Sequence, residues 1–271
     1  DTVYVTHGKA LIESLVVGAA AAHTDDALLL TGRTSLAAAT RSQLIALEPE
    51  RVVIVADSDE ISDTVLRRIR DAVNAPVTRL TTQDQYALAA EVSQGWSSTD
   101  AVYIASGIEP ADALSGGAAA ALDDAPLLLS ADAQGLPDAT RTALTELAPS
   151  NVYLLGGTAR LPSATAREIR SLVPNATVSR LSGPNRYDTS AAVVKQRFGN
   201  SPRVLTANGT ASIDAIAGTQ LADTTGSAVL LTRKTCHPRS VSSAMDRVDA
   251  HLVSLLGGTS RLSQSSATRT C

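Results

Sequence analysis

Three acids, Glu13, Asp112 and Asp214, recur at corresponding places in the chain, at offsets of 99 and 102 residues. Repeated carboxylates invite a catalytic reading. A simpler one is electrostatic: an acid in the first turn of a helix stabilises it by about 0.3–1 kcal/mol and repels an incoming anion. The helix role is favoured, and it moves an anion site to the other edges of each unit. Arg186 and Tyr187 place a planar cation beside an aromatic hydroxyl, a pairing suited to a phosphate or carboxylate on a sugar chain. The same two residues could equally serve an interface, with Arg186 paired to Asp188 or to a neighbouring unit and Tyr187 packed on the next helix. Arg160 and Arg261 follow the pairs Gly156-Gly157 and Gly257-Gly258 at one offset, where the first unit has Glu60. Such glycines admit positive φ and let a ligand oxygen approach backbone N–H groups. A tight turn from strand to helix accounts for them as well, and is the favoured reading of any one pair. With Arg180 and Asn185, these residues form the candidate ligand-binding set; no catalytic residue and no cofactor is expected.

Other chemistries lack their residues. No GxSxG or cysteine-nucleophile pattern is present, and His7, His23, His237 and His251 are scattered. No P-loop occurs, nor a GxGxxG after a strand, so nucleotides lack their usual phosphate cradle. Cys236 and His237 alone supply too few ligands for a metal. A disulfide between Cys236 and Cys271 is the better reading, and it implies an oxidising compartment. The lone Trp96 is expected to pack rather than to stack on a sugar.

The elements that must position these residues repeat. Leu28-Leu29-Leu30-Thr31, Leu127-Leu128-Leu129-Ser130 and Val229-Leu230-Leu231-Thr232 align, as do Ala39-Thr40-Arg41 with Ala139-Thr140-Arg141 and Leu155-Gly156-Gly157-Thr158 with Leu256-Gly257-Gly258-Thr259. Within one unit a short apolar run alternates with a longer stretch of helical period, which is βαβα order and implies a parallel sheet covered on both faces. For the second unit, strands are expected near Val102–Ala105, Pro126–Leu129, Val152–Leu155 and Thr177–Leu181. Helices are expected near Ala111–Leu122, Asp138–Leu147, Ser163–Leu172 and Tyr187–Arg197. Pro110, Pro137 and Pro162 stand where the first three of these begin. The expected fold is α/β: three tandem Rossmann-like subdomains, residues 1–97, 98–201 and a truncated 202–271, in a pseudo-threefold ring that periodicity alone does not close. The segment Arg180–Thr189 has a weaker echo in Arg79–Tyr86 and no third copy, which is expected before Val3 or after Leu262.

Composition narrows the partners. Of 271 residues, 44% are hydrophobic, 18% charged and only 3% aromatic, so the core must be aliphatic. A net charge of −4 argues against a broad footprint for nucleic acid or an anionic membrane, so any anionic ligand is held locally, by arginines. No apolar run reaches the roughly 18 residues of a membrane span, and no signal-peptide pattern precedes Val3; a signal, if the protein is exported, has been removed.

On the segment Arg180-Leu181-Ser182-Gly183-Pro184-Asn185-Arg186-Tyr187-Asp188-Thr189-Ser190, the Leu155–Thr158 element and the triple-aliphatic strands, the chain resembles the cell wall-binding repeat 2 family, as three copies over nearly its whole length. The resemblance implies a ring of Rossmann-like subdomains that anchors a secreted protein to the bacterial cell surface, non-covalently and without turnover. The implied partner is an anionic wall polysaccharide or a polymer like teichoic acid, often beside a separate effector domain. The first unit departs from the pattern with Ala56-Asp57 for Gly-Gly and Gln85-Tyr86 for Arg-Tyr. An adhesion module for a protein partner, or an enzyme on wall sugars using the recurrent acids, are the alternatives.

Overall fold

The computed structural model describes residues 1–210 and 213–271. In the first unit, strands β1 (Thr2–His7), β2 (Ala27–Thr31), β3 (Arg51–Val55) and β4 (Val77–Leu80) alternate with helices α1 (Leu11–His23), α2 (Ala38–Leu47), α3 (Asp63–Arg70) and α4 (Gln85–Ser93). The second repeats this with β5 (Ala101–Ser106), β6 (Leu127–Ser130), β7 (Asn151–Leu155) and β8 (Thr177–Leu181), and with α5 (Ala113–Leu122), α6 (Asp138–Leu147), α7 (Ser163–Leu172) and α8 (Arg186–Arg197). The third has β9 (Arg203–Asn208), β10 (Ala228–Thr232) and β11 (Leu252–Leu256), with α9 (Ile213–Thr225), α10 (Arg239–Arg247) and a short α11 (Ser265–Thr268). The strands form three separate sheets, ordered β2-β1-β3-β4, β6-β5-β7-β8 and β10-β9-β11, and every ladder is parallel. The third sheet has three strands where the others have four, as expected from its shorter copy.

Equivalent residues hold equivalent registers: Tyr4 pairs with Val53, Tyr103 with Tyr153, and Leu205 with Ser254. The repeated Ala-Thr-Arg has a local cause. Thr40 and Thr140, in the first turns of α2 and α6, each donate a hydroxyl to the carbonyl near a strand end, Leu30 and Leu129, at 2.7 Å. Helix is thereby tied to strand in both units. Pro137, Pro162 and Pro238 stand one residue before their helices, with ψ near 156–159°, and Pro110 lies further upstream, before Asp112. An extended cap thus replaces the first-turn position expected for these prolines. Glu48, Ala148 and Asp249 follow α2, α6 and α10 at equivalent places, all with φ between 43° and 55°.

The ring closes. Helices α1, α5 and α9, the first of each unit, pack against one another pairwise. Their alanines and glycines allow this close approach: a Cβ at Gly117 would already lie about 3.5 Å from Leu15 of α1 and Thr219 of α9, and Gln220 donates to the carbonyl of Gly18 at 2.9 Å. One continuous aliphatic core therefore runs from α1 through the second and third units. The outer face of the first sheet, Val3, Val5, Val52 and Ile54, forms a separate core with Leu44, Val65 and Ile69.

Candidate functional site

In sheets of this order the chain leaves the first strand toward one side and returns to place the third on the other, so a crevice opens beyond the carboxyl ends of those two strands. In the second unit this crevice lies above Ser106-Gly107 and Leu155-Gly156. Gly156 has φ of 108° and Gly257 has 106°, a backbone that a side chain resists. A Cβ at either would also collide with a carboxylate, that of Asp112 or Asp214. The recurrent acids therefore lie against the glycine turns. Asp112 stands at the N-cap position of α5 without a side-chain cap bond, and Glu13 and Asp214 lie in the first turns of α1 and α9, the places from which an acid acts on the helix dipole; burial raises the Asp112 pKa, while a hydrogen bond with Thr189 and the charges of Arg186 and Arg160 oppose that rise.

The candidate arginines divide by what holds them. Arg180 donates from Nη1 to Gly156 O and from Nη2 to Leu161 O, both at 2.7 Å, which ties the glycine loop to β8. Arg79 does the same in the first unit, to Ala56, Asp57 and Ile61 at 2.8–3.0 Å. Arg186 reaches across to the third unit, donating to Gly209 O at 2.7 Å, with Glu109 3.9 Å from its other nitrogen. Tyr187 lies flat on Gly209, where a Cβ would strike its ring, and Tyr86 lies on Gly107 in the same manner. Of the two roles open to Arg186 and Tyr187, the joint between units is the one seen in the contacts. Asn185 caps α8, its Oδ1 accepting from Tyr187 N at 3.0 Å and Asp188 N at 3.1 Å. Gly157 and Gly258 face open space. Trp96 is 5% exposed, stacked on His23 at 4.3 Å and donating to Asp124 O at 2.9 Å, so it packs as expected.

The carboxyl edges of the three units differ most at one pair of equivalent places. In the second unit Arg160 pairs with Asp132 at 3.2 Å. The first unit carries the reverse, Arg33 and Glu60, and the third carries Lys234 and Arg261. The backbones correspond: Ser62 N donates to Arg33 O and Ser263 N to Lys234 O, each at 2.9 Å. Only the third unit therefore sets two like charges where the others set opposite ones. Arg233 adds a third cation, 5.8 Å from the centre of the Tyr187 ring. None of the three has an ion-pair partner among the described residues. The first unit is the opposite: Glu13, Asp57 and Glu60 line one crevice of about 180 Å³, and the Glu60 pKa is raised by burial and then by its two acidic neighbours. Lys234 and Arg233 were absent from the candidate set; the signal for Lys234 was one of only three lysines standing at the offset of Asp132.

Cys236 and Cys271 are joined in a disulfide, their Cα atoms 5.5 Å apart, two residues beyond Lys234.

Three parallel Rossmann-like sheets around a three-helix axis, with a tyrosine joint after each of the first two units, define the class as an α/β ring of three repeated units. Residues 79–166 and 180–267 match the model of the family described as Cell wall binding domain 2 (CWB2), and the chain belongs to that family. Each matched stretch begins in the last strand of one sheet, at Arg79 or Arg180, and continues through three strands of the next. The chain is 32% identical over 188 residues to the N-acetylmuramoyl-L-alanine amidase LytC of Bacillus subtilis (strain 168), which is 69% of this chain and 37% of that protein. It is 24% identical over 263 residues to the amidase enhancer of the same organism, 97% of this chain and 36% of that protein. It thus spans little more than a third of either relative. Cwp6 from Clostridium difficile superposes with a TM-score of 0.87 over 95% of this chain and 41% of that one at 25% identity. Cwp8 from the same organism gives 0.86 over 97% and 46% at 18%, a likeness of fold alone.

Proposed function

We propose that the chain is a non-catalytic anchor that holds a secreted protein on the bacterial wall by binding an anionic glycopolymer, chiefly through the carboxyl edge of its third unit. The observation that carries this reading is the like-charged pair Lys234 and Arg261, with Arg233 beside it, in a protein of net charge −4. Adjacent cations repel, and a phosphate or carboxylate between them relieves that repulsion while gaining charge-assisted hydrogen bonds. Arg160 and Arg186, already engaged by Asp132 and Gly209, contribute less. The acidic crevice of the first unit repels the same polymer. A polymer with repeated anionic groups keeps several of them near the edge at once, so a module released from one is recaptured by the next. Both curated relatives extend well beyond the stretch they share with this chain, an arrangement suited to an anchor beside a separate effector.

The test is co-sedimentation with purified walls. Lys234→Glu with Arg261→Glu is expected to lower retention at least about tenfold, the equivalent of about 1.4 kcal/mol, with the circular dichroism spectrum unchanged. Arg160→Ala is expected to lower it far less, and rising salt to weaken the wild type as surface charges are screened. Undiminished sedimentation of the double variant, or equal binding to walls stripped of anionic polymer, defeats the proposal.

A further inference from the structure

The first unit holds an open cleft of about 350 Å³ at the amino end of its sheet, bounded by Tyr4, Arg51 and Val53 on the strands, by His23 of α1, and by Glu91 and Trp96 of or just past α4. The second unit has no such space. There Tyr153 replaces Val53 at the same register, its ring 5.0 Å from that of Tyr103. Arg197 covers Tyr153 at 4.3 Å and pairs with Asp123 at 2.6 Å. Arg197 corresponds to Trp96. Helix α4 spans 9 residues where α8 spans 12, so Trp96 falls beyond the helix end and folds toward His23 instead of across the sheet. Two substitutions and a shorter helix thus empty a volume that the fold itself fills elsewhere.

The groups around this volume match one ligand chemistry. Val53, Val92 and Leu80 give an apolar floor, and the edge of the buried Trp96, its face packed on His23, closes one side. Around the rim, the hydroxyls of Tyr4 and Thr78 and the carboxylate of Glu91 have no hydrogen-bond partner among the described residues, and burial raises the Tyr4 pKa, keeping the phenol a donor. Arg51 donates only to Thr2 Oγ1, at 3.1 Å. Arg79 also lines the cleft, but its guanidinium is engaged by Ala56, Asp57, Ile61 and Asp63, so Arg51 and Glu91 are the cation and anion left at the rim and give no net preference for a charged ligand. The volume fits a single six-membered sugar, with an apolar ring face for the floor and hydroxyls for the paired donors and acceptors. We propose that the cleft lined by Tyr4, Arg51, Val53, Glu91 and Trp96 is a binding site for one uncharged pyranose residue, separate from the basic edge of the third unit.

Trp96 is the only tryptophan of the chain and so reports on the cleft directly. Titrating the protein with N-acetylglucosamine, and in parallel with glucose and glucuronate, is expected to change its fluorescence saturably, with a dissociation constant on the order of 1 mM for an uncharged sugar. Val53→Tyr, the residue of the second unit, is expected to abolish the response. Should that variant misfold, Glu91→Gln serves in its place and is expected to weaken binding at least about fivefold with the spectrum of the free protein unchanged. Lys234→Glu with Arg261→Glu is expected to leave this titration as it was, so the cleft and the wall-anchoring reading fail independently. No saturable response to either uncharged sugar overturns the proposal. So does tighter binding of glucuronate, or an unaltered titration in the folded Val53→Tyr or Glu91→Gln variant.

Discussion

Both terminal nitrogens of Arg180 donate to main-chain carbonyls of the glycine loop, and Arg79 repeats the arrangement one unit earlier. A cation so held acts first on the fold. Arg180→Ala leaves two partly buried carbonyls without donors and is expected to cost about 2–4 kcal/mol, since hydrogen bonds to charged groups contribute about 1.5–3 kcal/mol each and are not additive. Urea unfolding checks this; a loss below half a kcal/mol would show that water replaces the guanidinium without cost. Asp112 behaves differently. Burial is the largest influence on it and raises its pKa. An acid whose folded pKa lies above its unfolded one binds extra protons on folding, so its contribution to stability falls as pH rises from the ordinary aspartate range through the raised value. Above that value the buried charge is a standing cost. Asp112→Asn, which keeps an oxygen for Thr189, is therefore expected to be more stable than the wild type at neutral pH. The advantage shrinks on acidification as the native carboxyl takes up its proton. Melting temperatures measured in parallel from neutral pH down into the ordinary aspartate range decide it: a constant difference between the two proteins excludes the linkage.

At the scale of elements, close packing of helix against strand is adjusted differently in the three units. In α5 a Cβ at Gly116 would collide with Leu155 of β7, and in α9 one at Gly218 would collide with Leu256 of β11. The first unit has valine at both places, Val17 and Val55, in one buried cluster. Large-with-none and medium-with-medium fill similar volume. Gly116→Val is thus expected to cost about 1–3 kcal/mol by overpacking, and Leu155→Val made with it to recover most of that loss. A double-mutant cycle from urea unfolding measures the coupling, which should reach about 1–3 kcal/mol; strictly additive effects rule the exchange out. Such pairs also explain what was legible in the sequence. The strands and helices of the second unit stand within one or two residues of expectation, because triple-aliphatic runs, prolines before helices and repeated Ala-Thr-Arg are local signals read in two or three units. Closure of the ring was not legible, since it rests on small residues of α1, α5 and α9 meeting across offsets that periodicity does not encode. The role of Arg180 was hidden for a similar reason, and that of Arg186 stayed one of two readings: both end on backbone carbonyls, which leave no mark in side-chain identity. The basic edge of the third unit needed the pairing of Arg160 with Asp132 to be seen before Lys234 acquired a meaning.

For the molecule as a whole, the three junctions are unequal. Between the first and second units, and the second and third, a tyrosine lies on a glycine of the next unit; between the third and first, Ile213 of α9 approaches Gly8 instead. The third unit is also the one without a fourth strand among the described residues, and it carries the cations through which anchoring is proposed. Its loop after β10 is held from several sides. Ser263 donates to Lys234 O, Ser265 to Thr235 O, Cys271 N to His237 O, and the disulfide closes a separation of 35 residues. In the chain-entropy account, a loop of that size contributes about 3–4 kcal/mol by restricting the unfolded chain. Because Cys236 lies two residues from Lys234, the same bond fixes the basic pair in place. Reduction, or Cys236→Ser with Cys271→Ser, is therefore expected to lower global stability by about that amount. It is also expected to speed amide exchange in residues 233–238 and 263–271 before the rest of the ring, and to weaken wall retention at a temperature where the ring remains folded. The first two units, which hold neither cysteine, are expected to keep their exchange protection. Measuring exchange and sedimentation on the same reduced sample separates the effects: a loosened loop with undiminished retention would detach the basic edge from the anchoring, and an unloosened loop would assign its order to the hydrogen bonds alone.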